Sequence, residues 1–209
     1  MTKIKICGLR RIEDIKAVNS CLPDYGGFVF AKGKRTVSEE EAKVLREALS
    51  PEIVPVGVFV NAPAEQVAGL LNEKVIDIAQ LHGDEDEAYM KTLRSIMKRG
   101  QLIKALRAAS PECLKQGDGL DVDYLLFDAF SQEGYGGTGE TFDWSWIKDV
   151  KKPFFLAGGI SSENVEKAIE RVSPFAVDVS SSVETAGWKD RDKIIEIVNK
   201  VKRKNQTED

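Results

Sequence analysis

The chain has 209 residues, of which 42% are hydrophobic and 31% charged, and a formal net charge of −4 at pH 7. That length and apolar content can bury one substantial core, and the mixed, slightly acidic charge excludes the clustered Lys and Arg of a duplex-binding surface. No apolar run reaches the ~18 residues of a membrane span, and the N-terminus carries no charged-then-apolar leader pattern, so a cytoplasmic protein with no membrane and no nucleic-acid partner is expected. Glycines and prolines are spread along the chain and no linker stands out, which predicts one domain over residues 1–209.

The three cysteines, Cys7, Cys21 and Cys113, are odd in number and form no CxxC, and His82 is the only histidine. This pattern fits a reducing compartment and predicts no metal site. Cys21 and Cys113 have no partner signal and read as structural.

Short runs rich in Val, Ile and Phe alternate with stretches of helical period. The first strand is Lys3 to Cys7, followed by a helical spacing through Ile12, Ile15 and Val18. Gly26 to Phe30 is the second strand, and a basic loop from Ala31 to Val37 leads to a helix opened by the capping box Ser38 and Glu41, with Ala42, Leu45 and Leu49 facing inward. Val54 to Val60 is the third strand. Pro63 starts the next helix, with Val67, Leu70 and Leu71 inward. Ile76 to Leu81 is the fourth strand, and a helix carrying Tyr89, Leu93 and Ile96 follows. Leu102 to Leu106 is the fifth strand, with a weak helical segment at Pro111 to Gln116. Tyr124 to Phe127 is the sixth, ending at Asp128 and followed by a long glycine-rich loop. Trp144 to Ile147 reads as one or two helical turns, Phe154 to Ala157 as the seventh strand, and Val165, Ala168 and Ile169 as a helix face. Phe175 to Val179 is the eighth strand. Ile194, Ile197, Val198 and Val201 mark a last helix, with Lys202 to Asp209 expected to be a solvated or frayed tail.

Eight strand–helix pairs with short, near-continuous apolar strands predict an α/β fold, a single-domain (β/α)8 TIM barrel, rather than an open doubly wound sheet. No GxGxxG follows the first strand to support a dinucleotide fold. In such a barrel the C-terminal strand ends share one rim, so Cys7, Arg35, His82, Asp128 and Asp178 converge there. Alone, Cys7 could be a space-filling thiol, and His82 could simply satisfy a loop hydrogen bond. Asp128 follows four apolar residues, a setting suited to a proton donor, although such a carboxylate could instead cap the neighbouring loop. Asp178, within Ala176-Val177-Asp178-Val179, points into the barrel or at its rim and needs a partner or a cationic ligand group. Gly158-Gly159 and Ser180-Ser181 follow the last two strands, where such barrels commonly hold a phosphate, which predicts a phosphorylated small-molecule ligand. Gly136 to Gly139 adds a glycine-rich loop on the same rim.

The chain resembles the phosphoribosylanthranilate isomerases of tryptophan biosynthesis along nearly its whole length. The resemblance is carried by Lys5-Ile6-Cys7-Gly8-Leu9, Val56 to Asn61, Gln80-Leu81-His82-Gly83-Asp84, Gly136 to Gly139, Leu156 to Ile160 and Asp178-Val179-Ser180-Ser181. It implies an Amadori rearrangement of an N-phosphoribosyl aminoaldose to the open-chain aminoketose, 1-(2-carboxyphenylamino)-1-deoxyribulose 5-phosphate, with no cofactor. It further implies Asp128 as general acid, Cys7 as general base, Arg35 as partner of the anthranilate carboxylate, and His82 and Asp178 as supporting pocket residues. The chain departs from the family pattern in two places. Gly33-Lys34-Arg35 stands where Ser-Pro-Arg is common, making the loop more basic, and Ser182 replaces a usual glycine, which would cost energy if that backbone needed positive φ. The related isomerase of histidine biosynthesis needs two phosphate sites and resembles a pattern with an aspartate at the first strand end, where this chain has Cys7. A catalytically dead, metabolite-binding barrel is disfavoured by the presence of both Cys7 and Asp128. No unbroken apolar surface face is evident, so a monomer is expected.

Overall fold

The computed structural model describes residues 1–108, 110–129, 143–147 and 150–206. Eight parallel strands close into a barrel in sequence order: β1 (Lys3–Cys7), β2 (Tyr25–Val29), β3 (Val54–Phe59), β4 (Ile78–Leu81), β5 (Gln101–Ala108), β6 (Tyr124–Ala129), β7 (Phe154–Leu156) and β8 (Ala176–Val179). Closure comes from β1 pairing with β8, with Lys5 opposite Asp178, while on its other side Lys5 lies opposite Tyr25 and Cys7 opposite Gly27. The predicted TIM barrel is the observed fold.

The outer layer holds helices α1 (Ile12–Asn19), α2 (Glu39–Ala48), α3 (Ala64–Asn72), α4 (Glu87–Ile96), α5 (Pro111–Gln116), α6 (Val165–Val172) and α7 (Arg191–Gln206). The capping box of α2 is present: the Glu41 amide donates to Ser38 Oγ at 3.1 Å, and the Ser38 amide donates to Glu41 Oε2 at 2.7 Å. Trp144–Ile147 is a single 3₁₀ turn. A small hairpin, β9 (Glu184–Thr185) and β10 (Trp188–Lys189), lies between β8 and α7 and has no counterpart in the sequence reading.

Strand alternation divides the apolar residues into two sets. Ile4 and Ile6 point outward into the main core beneath the helices, with Val67, Leu71, Ile169 and Ile197. Tyr25, Val56, Ile78, Ile103, Leu126, Phe155 and Ala176 point inward and fill the lower barrel. Two expectations are corrected. On α4 the buried positions are Met90 and Leu93, whereas Ile96, on the last turn, is 37% exposed. The segment Lys202 to Gln206 is largely solvated but not frayed: it continues α7, and Asn205 Oδ1 accepts from the Thr2 amide while Asn205 Nδ2 donates to Thr2 O, both at 2.8 Å.

Candidate active site

At the C-terminal rim a cavity of about 540 Å³ is lined by every described residue picked out from the sequence: Cys7, Arg35, His82, Asp128, Gly158, Gly159, Asp178, Ser180 and Ser181. The glycine-rich Gly136 to Gly139 lies outside the described residues. A neighbouring cavity of about 260 Å³ shares His82 and Asp128 and runs over the ends of β4 and β5. One of its walls is the buried pair Lys104–Glu85 at 2.7 Å, with Lys104 Nζ also donating to Gly83 O at 2.7 Å.

Cys7 is the last residue of β1 and faces the interior, and burial pushes its thiol up against the opposing pull of Lys5. Asp128, in β6, is 8% exposed. Its Oδ1 accepts from the Ala129 amide at 3.0 Å and its Oδ2 lies 3.3 Å from His82 Nε2. His82 Nδ1 in turn sits 2.7 Å from Gln80 Nε2.

Asp178 has the cationic partner its position demanded, and that partner is Lys5. Lys5 Nζ donates to Asp178 Oδ2 at 2.8 Å and to Gln80 Oε1 at 2.7 Å, and Lys5 has no exposed surface. Burial alone would lower its ammonium pKa, but the Asp178 charge and hydrogen bond outweigh this and hold it raised. Asp178 Oδ1 is buried and has no hydrogen-bond partner among the described residues.

Arg35 reaches the rim beside Gly8, whose φ of +84° and missing side chain both matter: a Cβ there would lie 2.5 Å from Arg35 Cδ. Arg35 is gripped by Glu184 of β9, through Nε to Oε1 at 2.7 Å and Nη2 to Oε2 at 2.9 Å. Glu184 Oε1 also takes a 2.8 Å hydrogen bond from the buried Lys189 Nζ of β10. Burial alone would raise the Glu184 carboxyl, but the hydrogen bonds from Arg35 and Lys189 reverse this and hold it at about 2. The hairpin is itself fastened by Arg10, which stacks 3.8 Å over the Trp188 ring and donates to Gly187 O and to Lys34 O.

On the opposite side Gly158 and Gly159 both take positive φ. Ser181–Val183 forms a 3₁₀ turn in which Ser182 lies outside the left-handed region, so serine there carries none of the backbone cost that a positive φ would impose. The Ser182 Oγ is buried with no partner among the described residues.

Lys5, Gln80, Glu184 and Lys189 were missed by the sequence reading. Lys5 and Gln80 had a detectable signal, since each lies two residues before a selected strand-end residue and therefore on the same strand face. Glu184 and Lys189 had none, because the hairpin carrying them was not foreseen.

A sequence model of the N-(5'-phosphoribosyl)anthranilate isomerases matches residues 4–200. The chain belongs to this family. The N-(5'-phosphoribosyl)anthranilate isomerase of Caldanaerobacter subterraneus subsp. tengcongensis is 46% identical, covering 97% of this chain and 98% of its own. A monomeric variant of the dimeric Thermotoga maritima phosphoribosylanthranilate isomerase superposes with a TM-score of 0.83 at 34% identity, covering 97% of this chain and all of that one. A phosphoribosylanthranilate isomerase solved with reduced 1-(o-carboxyphenylamino)-1-deoxyribulose 5-phosphate superposes at 0.82 with 32% identity and the same coverage.

Proposed function

We propose that this isomerase converts N-(5-phosphoribosyl)anthranilate to 1-(2-carboxyphenylamino)-1-deoxyribulose 5-phosphate, with Asp128 as general acid and Cys7 as general base. The observation that carries the reading is that Cys7 and Asp128 open into one cavity together with Arg35 and the loops after β7 and β8. Asp128 protonates the furanose oxygen as the C1–O bond breaks, and the anilino nitrogen lone pair closes a C1=N iminium. Cys7 then removes the C2 proton, and the C2–H electrons form the C1=C2 bond of an enolamine while the iminium is neutralised. Tautomerisation of the enolamine gives the ketone.

Arg35, whose Nε–Nη2 edge is held by Glu184, offers the remaining Nη1 and Nη2 hydrogens of its planar fork to the anthranilate carboxylate, and Gly158, Gly159, Ser180 and Ser181 hold the phosphate. Asp178 supports the pocket through its ion pair with Lys5. Residues 1–209 act as one catalytic domain without a cofactor. The protein acts in the cytoplasm as a monomer: the large exposed hydrophobics among the described residues, Met1, Val44, Ile96 and Trp188, lie on separate elements, and sedimentation of a dimer would overturn that point. No helix among the described residues is long and apolar enough to cross a membrane.

The test is a fluorescence assay of phosphoribosylanthranilate consumption by the wild type, Cys7→Ala and Asp128→Asn, each checked by circular dichroism. Each variant is expected to lose ~10²-fold or more in kcat with the fold intact. Near-wild-type kcat in either variant would remove that residue from its role.

A further inference from the structure

Two acid–base residues on opposite sides of the barrel, Cys7 on β1 and Asp128 on β6, are joined by one chain of groups that begins at the buried Lys5 and ends at the part-buried His82. An ammonium has only hydrogens to give. The Gln80 atom 2.7 Å from Lys5 Nζ must therefore be the amide oxygen, so the NH₂ of Gln80 faces His82 Nδ1, also at 2.7 Å. Nδ1 must then accept, which places the His82 hydrogen on Nε2, the ring nitrogen that lies 3.3 Å from Asp128 Oδ2. The Lys5 ammonium thus specifies the tautomer of the only histidine and, through it, that the ring nitrogen facing Asp128 carries the hydrogen.

The same lysine flanks the thiol. A Cβ placed on Gly27 would lie 3.1 Å from Cys7 Sγ and 3.3 Å from Lys5 Cε, so the two side chains meet across the bare backbone of Gly27. The charged groups acting on Cys7 are Lys5 from its own strand, Asp178 from β8, Lys189 from β10 and Arg35 from the loop after β2. Among the cations, Lys5 is anchored within the barrel, held by Asp178 and Gln80 and without exposed surface. Lys189 is directed instead at Ser180 and Glu184, and Arg35 at Glu184.

We propose that Lys5 is a positioning residue for both proton transfers, orienting Asp128 through Gln80 and His82 and favouring the Cys7 thiolate through its charge. This rests on the isomerase reading above. It divides the two effects between variants, since Gln80 carries only the path to Asp128 whereas Lys5 serves both.

The experiment measures kcat and kcat/KM against pH for wild type, Lys5→Met and Gln80→Leu. In parallel, the pH dependence of Cys7 alkylation by iodoacetamide is followed by mass spectrometry of the Cys7 peptide. In Lys5→Met the alkylation midpoint and the thiol ionisation seen in the rate profile are expected to rise together by ~1 pH unit or more, with at least ~10-fold lower kcat at neutral pH because fewer thiols are ionised. In Gln80→Leu the alkylation midpoint stays at the wild-type value while kcat falls at least ~10-fold with KM nearly kept. Lys5→Met strands the buried Asp178 charge. If it does not fold, Lys5→Met/Asp178→Asn takes its place, compared with Asp178→Asn alone, and the alkylation midpoint is expected to lie higher in the double variant than in that single one. A folded Lys5 variant with the wild-type midpoint and pH profile overturns the thiolate role, and a Gln80→Leu enzyme with wild-type kcat overturns the relay. A wild type that does not turn over phosphoribosylanthranilate refutes the isomerase reading instead.

Discussion

At the N-terminal end of the barrel interior, Phe155 packs with ring centroids 5.3 Å from Tyr25, 5.6 Å from Tyr124 and 5.7 Å from Phe175. Further along the same strands the interior holds Lys5, Cys7, Gln80, Asp128 and Asp178 around a cavity. The lower end is a close-packed aromatic plug whose contribution is apolar burial. The upper end replaces such packing with charges that are tolerated because each finds a partner or faces the cavity. β1 runs through both: Lys3 Nζ lies 4.9 Å from the Phe175 ring centroid at the bottom, Lys5 is sealed in the middle and Cys7 borders the cavity. Stability and chemistry are thus stacked along one barrel axis, and substitutions at different heights should separate them.

The largest effect is expected at the bottom. Phe155→Ala should lose ~3–5 kcal/mol in urea unfolding while kcat of the folded protein is kept. A matching collapse of kcat would show that the two ends are not separable. At the boundary, Gly27→Ala should break both properties at once, because the new methyl meets Cys7 Cα at 3.0 Å as well as Sγ and the Lys5 stem. The expected cost is ~1–3 kcal/mol of stability from overpacking, with at least ~10-fold in kcat from displacement of the thiol. Unaltered kinetics would mean that the upper layer has slack.

The smallest effect belongs to the rim. Glu184 has its carboxyl held at about 2, below its ordinary 4.5. A carboxylate whose folded pKa is depressed adds stability above its unfolded value and loses it as pH falls from there through the folded value. Glu184→Gln should therefore be ~1–2 kcal/mol less stable than wild type at pH 7, after allowance for solvent screening at this partly open site. The gap should close between about pH 4.5 and about pH 2 in thermal melts. A gap that persists at low pH would assign the loss to packing rather than charge.

Much of the barrel is legible in the residues. Val54 to Val60 and Tyr124 to Phe127 are too apolar and too short for anything but buried strands, and Ser38 with Glu41 marks the start of α2 at its observed place. The strand-end residues follow from topology, since parallel strands present their C-terminal ends to one side. Periodicity fails at Ile96, where the helix turns its last apolar residue outward, and at Lys202 to Gln206, where Asn205 pins a polar segment to Thr2.

What the sequence determined by itself is the alternation of strands and helices and the residues standing at one rim. It did so because those depend on local patterns of period two and 3.6 and on chain order. Only the tertiary structure decided the meaning of Lys3-Ile4-Lys5-Ile6-Cys7. Alternation says that Lys5 and Cys7 share a face and that Ile4 and Ile6 share the other, but not which face meets water. In a barrel wrapped by helices neither face is solvated, so the polar side turns inward. Lys5 then finds Asp178, 173 residues away in the chain, as its charge partner. That pairing depends on the closure of β1 against β8, a contact with no local trace, and it is what allows a lysine to stand buried between the thiol and the path to Asp128.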